Sequence, residues 1–332
     1  MDTLAKRIDD LANEINFNGS ILISKNQEII LAKGYGYACF EHEIKNEANT
    51  VHRVASITKT FTAACILKLV EDGSISLNHT LDLYIPDFFK GDQITIHHIL
   101  SNSSGIANFS LDMDFFDILN SESILNSLID LVKDKSLQFK PGTKFNYSIA
   151  GYLVLQYIIE KVSGLTFEAY LKQNFFNKLG IFDTGLEEPN RVIKNKSNNY
   201  KIEDNKIMKA DYIDMRIAGG GGGLYSNVYD IYRFNNSILS HEILSKESTD
   251  LMFEKHIKAD EYNSYGYGMI IAEGIVENTF VKKYYHPGGG NGVRSMNTIY
   301  PNKNIQAILI SNIEDREIFN KMYSETNKII NE

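Results

Sequence analysis

The sequence predicts an α/β protein of the α+β kind. An antiparallel sheet is flanked by N- and C-terminal helices, and a helical region is inserted between the sheet's two halves. Three observations carry this. Short β-rich runs sit near both ends of the chain, apolar runs with helical spacing fill the middle, and helical stretches open and close it. The expected organisation is one unit over 1–332, with the sheet part at about 1–57 and 263–332 and the mainly helical part at about 58–262.

The elements follow in order. Leu4, Ile8, Leu11 and Ile15 recur at helical spacing, so 3–15 reads as a helix. "SILIS" and "EIILAKGY" read as paired strands, with "KNQ" as their turn. A helix begins near Ser56 and stops at "EDGS", where Gly73 suits a C-cap. The stretch 94–106 reads as a short helix and a polar loop. Two further helices, 149–164 and 167–180, each end at glycine. From about 265, "YGYGMIIA", "TFVKKYYH", "VRSMNTIYP" and "IQAILISN" are β-rich runs separated by turn residues, and "EDREIFNKMYSETNKIIN" reads as a closing helix.

Composition narrows the function. With 332 residues, 43% of them apolar and 23% charged, the chain resembles an ordinary globular protein. A net charge of −8 without a basic run argues against nucleic acid or an anionic membrane as partner. The longest apolar stretches fall short of a membrane span, and the first twenty residues lack the apolar core of a secretory signal. Cys39 and Cys65 are the only cysteines and read as free thiols, so a cytoplasmic location is expected. His97 and His98 are adjacent and point apart, and no metal-binding spacing is present, so no metal or other cofactor is expected. The glycines at 219–223 lack the Gly-Lys-Ser/Thr of a phosphate loop and read as a flexible rim of the active site. Asp82, Asp87 and Asp214 read as turn or capping residues.

One spacing invites chemistry. In "VASITKTFTAAC", Ser56 precedes Lys59 by three residues at the head of a helical run, so the two side chains share a face. A serine hydroxyl needs a base and a place for the oxyanion before it can attack a carbonyl. At a helix N-terminus the free N–H groups favour developing negative charge. Such a Ser-x-x-Lys spacing also arises by chance about once in a chain this long, so the pair needs support from elsewhere.

Two segments supply that support: "PGTKFNYSIAGYLVLQYIIEKVSG" at 141–164 and "YYHPGGGNGVRSMNTIYP" at 284–301. With 51–88, 94–106, 174–186, 219–234 and "YGYGMII", they make the chain resemble serine β-lactamases of the class C type, penicillin-binding proteins, DD-peptidases and related esterases. The resemblance covers most of 18–312 and implies a β-lactamase/transpeptidase-like fold. It implies Ser56 as nucleophile, Lys59 as its partner and Tyr147 as the second-motif tyrosine. Beside a lysine, a phenolate is favoured, so Lys59 and Tyr147 are expected to act as one proton acceptor. His286 and Gly288 match the third motif, on an expected sheet edge facing the site; the resemblance implies that His286, standing where many relatives carry lysine, holds or polarises the substrate and that Gly288 lets the substrate backbone approach closely. Gly289 matches the residue whose N–H completes the oxyanion hole. Arg294, just beyond, either faces a substrate carboxylate or is a solvated surface arginine.

One position departs from the pattern. The family's asparagine two residues after the tyrosine is Ile149 here, which offers no hydrogen bond to a substrate amide. The resemblance implies a serine hydrolase that forms an acyl-Ser56 intermediate on a small ester, amide or peptide. The alternatives are a penicillin-binding DD-carboxypeptidase or β-lactamase of the cell envelope, and a non-catalytic ligand-binding sensor. Loops 106–140 and 186–215 are expected to set the substrate.

Overall fold

The computed structural model describes residues 2–110, 115–276 and 279–332. Its centre is an antiparallel sheet of eight strands: β1 (Gly19–Lys25), β2 (Glu28–Tyr35), β3 (Ile257–Lys258), β4 (Asn263–Tyr265), β5 (Ile270–Val276), β6 (Thr279–Gly290), β7 (Val293–Tyr300) and β8 (Ile305–Ser311). They lie in the order β3-β4-β5-β6-β7-β8-β1-β2, so the first strand of the chain pairs with the last long one. Leu22 lies opposite both Ala32 and Ile308. The hairpin between β1 and β2 turns at Asn26 and Gln27, both left-handed at φ 53° and 66°, the geometry of a two-residue hairpin loop.

Successive strand residues face opposite sides, and both sides are buried. Ile21, Ile23 and Leu309 pack against the terminal helices α1 (Thr3–Glu14) and α7 (Arg316–Asn331) through Ile8, Ala12, Phe319 and Met322. Leu22, Ile308 and Ile310 face the helical region. That region is built on α2 (Thr58–Glu71), α3 (Ile96–Leu100), α4 (Ile124–Lys133), α5 (Ile149–Ser163) and α6 (Val228–Leu239). Every residue of α2 from Thr58 to Leu67 is buried, so the helix meets solvent only in its last turn, at Lys68, Val70 and Glu71. Phe61 on α2 stacks on Phe234 of α6 with ring centroids 4.0 Å apart.

The expected elements are present, with five differences. The run 265–272 is not one strand but is split between β4 and β5 by a bend at 266–269. The expected loops 106–140 and 186–215, of which 111–114 lie outside the described residues, hold α4 and a strand pair, Tyr200–Glu203 with Lys206–Lys209. The sheet extends back to Ile257, because Ile257 and Lys258 pair with β4. The stretch 167–180 is helical but contains a π-turn at Lys172–Phe176, a local widening that sequence periodicity does not encode. The glycine run is no flexible rim. Gly219–Gly222 form a buried helical turn against α5, where a Cβ on Gly219 would lie 2.3 Å from Gln156 Oε1. Glycine is required there by close packing.

The position of β6 shapes everything that follows. β6 is an interior strand, paired with β5 and β7, but its pairing with β5 ends at Tyr285 opposite Ile270. His286–Gly290 run on, hydrogen-bonded only to β7. The expected sheet edge is therefore a local one, made by an interior strand outrunning its neighbour.

Candidate active site

Ser56 sits in a 3-10 turn, Ala55–Ile57, immediately before α2. The turn is entered from a short strand, His52–Arg53, that pairs with Leu224–Ser226. Four hydrogen bonds fix it. Val54 N–H donates to Leu224 O (3.1 Å), Thr58 Oγ1 donates to Ala55 O (2.7 Å), Leu224 N–H donates to Thr58 Oγ1 (3.1 Å) and Ser295 Oγ donates to Val54 O (2.8 Å). Ala55 is held at φ +46°, a conformation that costs a non-glycine residue about 1 kcal/mol and needs such anchoring. From 51 to 65, Ser56 alone is only partly buried, so solvent reaches this residue.

Lys59 is completely buried, one helical turn further on. Its Nζ donates to Ser56 Oγ at 3.4 Å and to Gly221 O at 2.5 Å. It lies over the rings of Tyr147 and Tyr152, 4.5 and 5.3 Å from their centroids. Among the described residues, no carboxylate pairs with it. Burial without a counter-ion pushes its pKa down to about 7. The glycine turn thus supplies the carbonyl that holds the amine. Sequence reasoning had no means of seeing this, because a backbone acceptor carries no residue signature.

Tyr147 precedes α5 and its ring lies 6.0 Å from that of His286, centroid to centroid. Its hydroxyl is buried and no hydrogen bond of ordinary geometry reaches it. Burial holds this phenol well above the ordinary tyrosine range, and the Ser56 hydroxyl offsets that only in part. This reverses the expected ionisation: the lysine, in cation–π contact with the ring face, is the group pushed towards its neutral form, and the tyrosine stays a phenol.

Gly288 lies directly behind the serine turn. A Cβ there would stand 2.5 Å from Val54 O and 3.2 Å from the Ala55 side chain, so only glycine allows this approach. His286, two residues earlier on β6, shares that face and is fully buried. Gly289 points to the other face, where Arg294 lies opposite it on β7. Arg294 Nη2 donates to Glu314 Oε1 at 2.8 Å. Of the two readings of Arg294, neither fits: it is committed to an ion pair on the sheet face turned away from Ser56.

Ile149 opens α5 and packs its Cγ2 near Gly221, partly buried. The residue that sequence reasoning missed is Asn108. Its Oδ1 accepts from Ile149 N–H (2.9 Å), Ala150 N–H (3.1 Å) and Ser148 Oγ (3.2 Å), while its Nδ2 donates to Tyr147 O (3.1 Å). One amide therefore clamps the backbone that carries Tyr147. In sequence Asn108 lies in a loop without pattern. Asn108→Ala is expected to lower kcat about tenfold with KM little changed, since Ser148 still caps α5 and the loss of stability stays near ~1 kcal/mol. Asn108→Asp, which keeps the acceptor but sets a carboxylate oxygen against Tyr147 O where the amide donated, is expected to recover only part of the rate; steady-state kinetics beside a thermal melt check both.

The discounted residues have structural partners except Asp82, which lies in the 3-10 turn Leu81–Leu83 with a buried Oδ1 that no hydrogen bond reaches. His98 completes a capping box with Thr95, and His97 Nδ1 lies 2.7 Å from Tyr267 Oη. Asp214 accepts from Arg216 N–H and Asp87 pairs with Lys133. Cys39 and Cys65 are free thiols. Among the described residues, no group of three or more His, Cys, Asp or Glu is placed to hold a metal ion, and no helix is long and apolar enough to cross a membrane.

Known proteins are similar to this chain in sequence and fold. The PbpX protein of Bacillus subtilis (strain 168) is 29% identical over 97% of this chain and 78% of its own length. The crystal structure of a penicillin binding protein from Bacillus halodurans superposes with a TM-score of 0.83 at 25% identity, covering 97% of this chain and 98% of that one. An octameric penicillin-binding protein homologue from Pyrococcus abyssi gives 0.82 at 26% identity, over 99% of this chain and 78% of its own. The family model described as Beta-lactamase matches residues 5–324, and the chain belongs to that family.

Proposed function

We propose that this protein is a serine hydrolase acting on a small ester, amide or peptide through an acyl-Ser56 intermediate. One observation carries the reading: the hydroxyl of a partly exposed serine lies 3.4 Å from a buried lysine whose pKa is pushed down to about 7. At neutral pH a large fraction of Lys59 is then the free amine, a base matched to the working pH. It takes the Ser56 proton as Oγ attacks the carbonyl carbon. The negative charge on the carbonyl oxygen falls to backbone N–H groups, for which Ser56 and Gly289 are the candidates. Tyr147, a phenol, donates its proton to the leaving group and recovers it from Lys59. Water then repeats the sequence on the acyl-enzyme and releases the acid.

Turnover of a chromogenic ester is the first test, with intact-mass spectrometry to map the adduct. If no ester or β-lactam is turned over and none modifies Ser56, the reading fails and a ligand-binding role replaces it.

The names of the relatives favour a second reading, a penicillin-binding or β-lactam-hydrolysing enzyme. Ile149 stands against efficient action on β-lactams, because a substrate amide finds no side-chain partner there. Ile149→Asn is expected to raise any weak β-lactam turnover by about tenfold, the worth of one hydrogen bond to an amide. Fluorescent-penicillin labelling and nitrocefin hydrolysis measure it; an unchanged rate in a folded variant means that Ile149 is not what limits the activity.

A further inference from the structure

On the reading just given, we propose that the site selects substrates whose leaving group carries no carboxylate, namely uncharged esters and amides. The geometry of His286 carries this. Its Nδ1 lies 2.7 Å from Pro287 O, a group that can only accept, so Nδ1 bears the proton. Its Nε2 lies 3.1 Å from Tyr265 Oη, and in this tautomer Nε2 can only accept from the phenol. Both ring nitrogens are thus in use within the protein, and no part of the side chain is exposed. Burial, with Lys59 nearby, pushes the imidazole down to about 3, so it stays neutral.

Tyr265 is no freer: it is itself fully buried, and its one proton goes to His286. The third-motif position therefore presents neither a cation nor a spare donor to a substrate at Ser56. His286 is a positioning residue. It ties β4 to the overrunning end of β6, next to the glycines behind Ser56.

Among the described residues, the arginines that precede Ser56, precede the glycine turn or lie beside β6 are also ion-paired, while Lys144, three residues before Tyr147, is exposed. Arg53 donates twice to Glu187, at 2.9 and 2.7 Å. Arg216 is paired with Asp214 at 2.6 Å, and Arg294 with Glu314 on the far face. Lys59 is held by Gly221 O and pushed towards neutrality. A carboxylate placed beside β6 loses its water and gains no charge-assisted hydrogen bond, which is unfavourable. An ester or amide group of the same shape gives up little by comparison.

The test uses two thioesters of hippuric acid on the full-length protein, each kcat/KM divided by the hydroxide-catalysed hydrolysis rate of the same thioester, so that leaving-group reactivity cancels. One has thioglycolate as leaving group, the other has the methyl ester of thioglycolate. The neutral member is expected to have a kcat/KM about tenfold or more above the anionic one, the weight of one hydrogen bond to a charged group. The preference is expected to persist in His286→Asn, which can still donate and accept but carries no charge. In His286→Lys it is expected to shrink or invert. Equal or higher kcat/KM for the anionic thioester in the wild type overturns the inference, whatever cation supplies it, exposed Lys144 included, and leaves the hydrolase reading standing. Turnover of neither thioester, with no adduct on Ser56, overturns the hydrolase reading itself.

Discussion

Ser56→Ala is expected to abolish ester turnover, lowering kcat by at least about 10⁴-fold, because removal of the nucleophile removes the covalent path altogether. The fold has little reason to respond. Ser56 is only partly buried, and its hydrogen bond with Lys59 is long at 3.4 Å. The backbone around it is held by Thr58, Ser295 and Leu224, none of which uses the Ser56 side chain. Stability is thus expected to change by about 0.5 kcal/mol or less, the usual range for substitutions that break no buried contact. A chromogenic ester assay, intact-mass spectrometry after a short exposure to substrate, and a thermal melt together decide the matter. Wild type is expected to gain the mass of the acyl group on the peptide containing Ser56, and the variant to gain none. Substantial turnover by folded Ser56→Ala would place the nucleophile elsewhere and remove the acyl-serine reading.

The order of elements could be read from the chain because each is locally over-determined. α5 has a serine cap, an apolar run and a left-handed glycine at its end, and the structure shows all three. The hairpin β1–β2 has alternating faces and a turn that accepts positive φ. Family motifs put Ser56, Lys59, Tyr147 and His286 on one list, and folding brings each into contact with the next. What escaped the sequence is relational. The Gly221 carbonyl holds Lys59 because the glycine turn packs flat on α5. Asn108 clamps Tyr147 from a loop whose composition says nothing about where it lands. The neutral state of His286 follows from Pro287 O and Tyr265 Oη, one of them a backbone atom. The expected phenolate was wrong in direction for the same kind of reason. It counted the attraction between amine and phenol and left out burial, which penalises the charged form of both.

Lys59 is where activity and stability should part company. Its pKa of about 7 in the folded protein lies well below the ordinary lysine value of 10.5, with burial as the cause. Only the neutral amine can accept the Ser56 proton, so kcat/KM is expected to fall about tenfold per pH unit below about 7 and to level off above it. Lys59→Arg keeps a cation that cannot deprotonate in this range, and Lys59→Met removes the base; each is expected to cost about 10²–10⁴-fold at pH 8. Stability runs differently. Between about pH 7 and 10.5 the unfolded chain binds a proton at Lys59 that the folded protein does not, so this group makes wild-type stability rise with pH through that window. The slope is at most about 1.4 kcal/mol per pH unit. Below about 7 both states are protonated, and the folded protein carries the full cost of a buried cation. Lys59→Met lacks this titration, though it leaves Gly221 O without its donor. Relative to the Met variant, wild type is therefore expected to gain stability steadily from pH 7 to 10 and to show its largest deficit in acid. Urea midpoints of the two proteins across pH 5 to 10 measure the difference, and parallel curves would mean that Lys59 keeps an ordinary pKa and is no base at neutral pH.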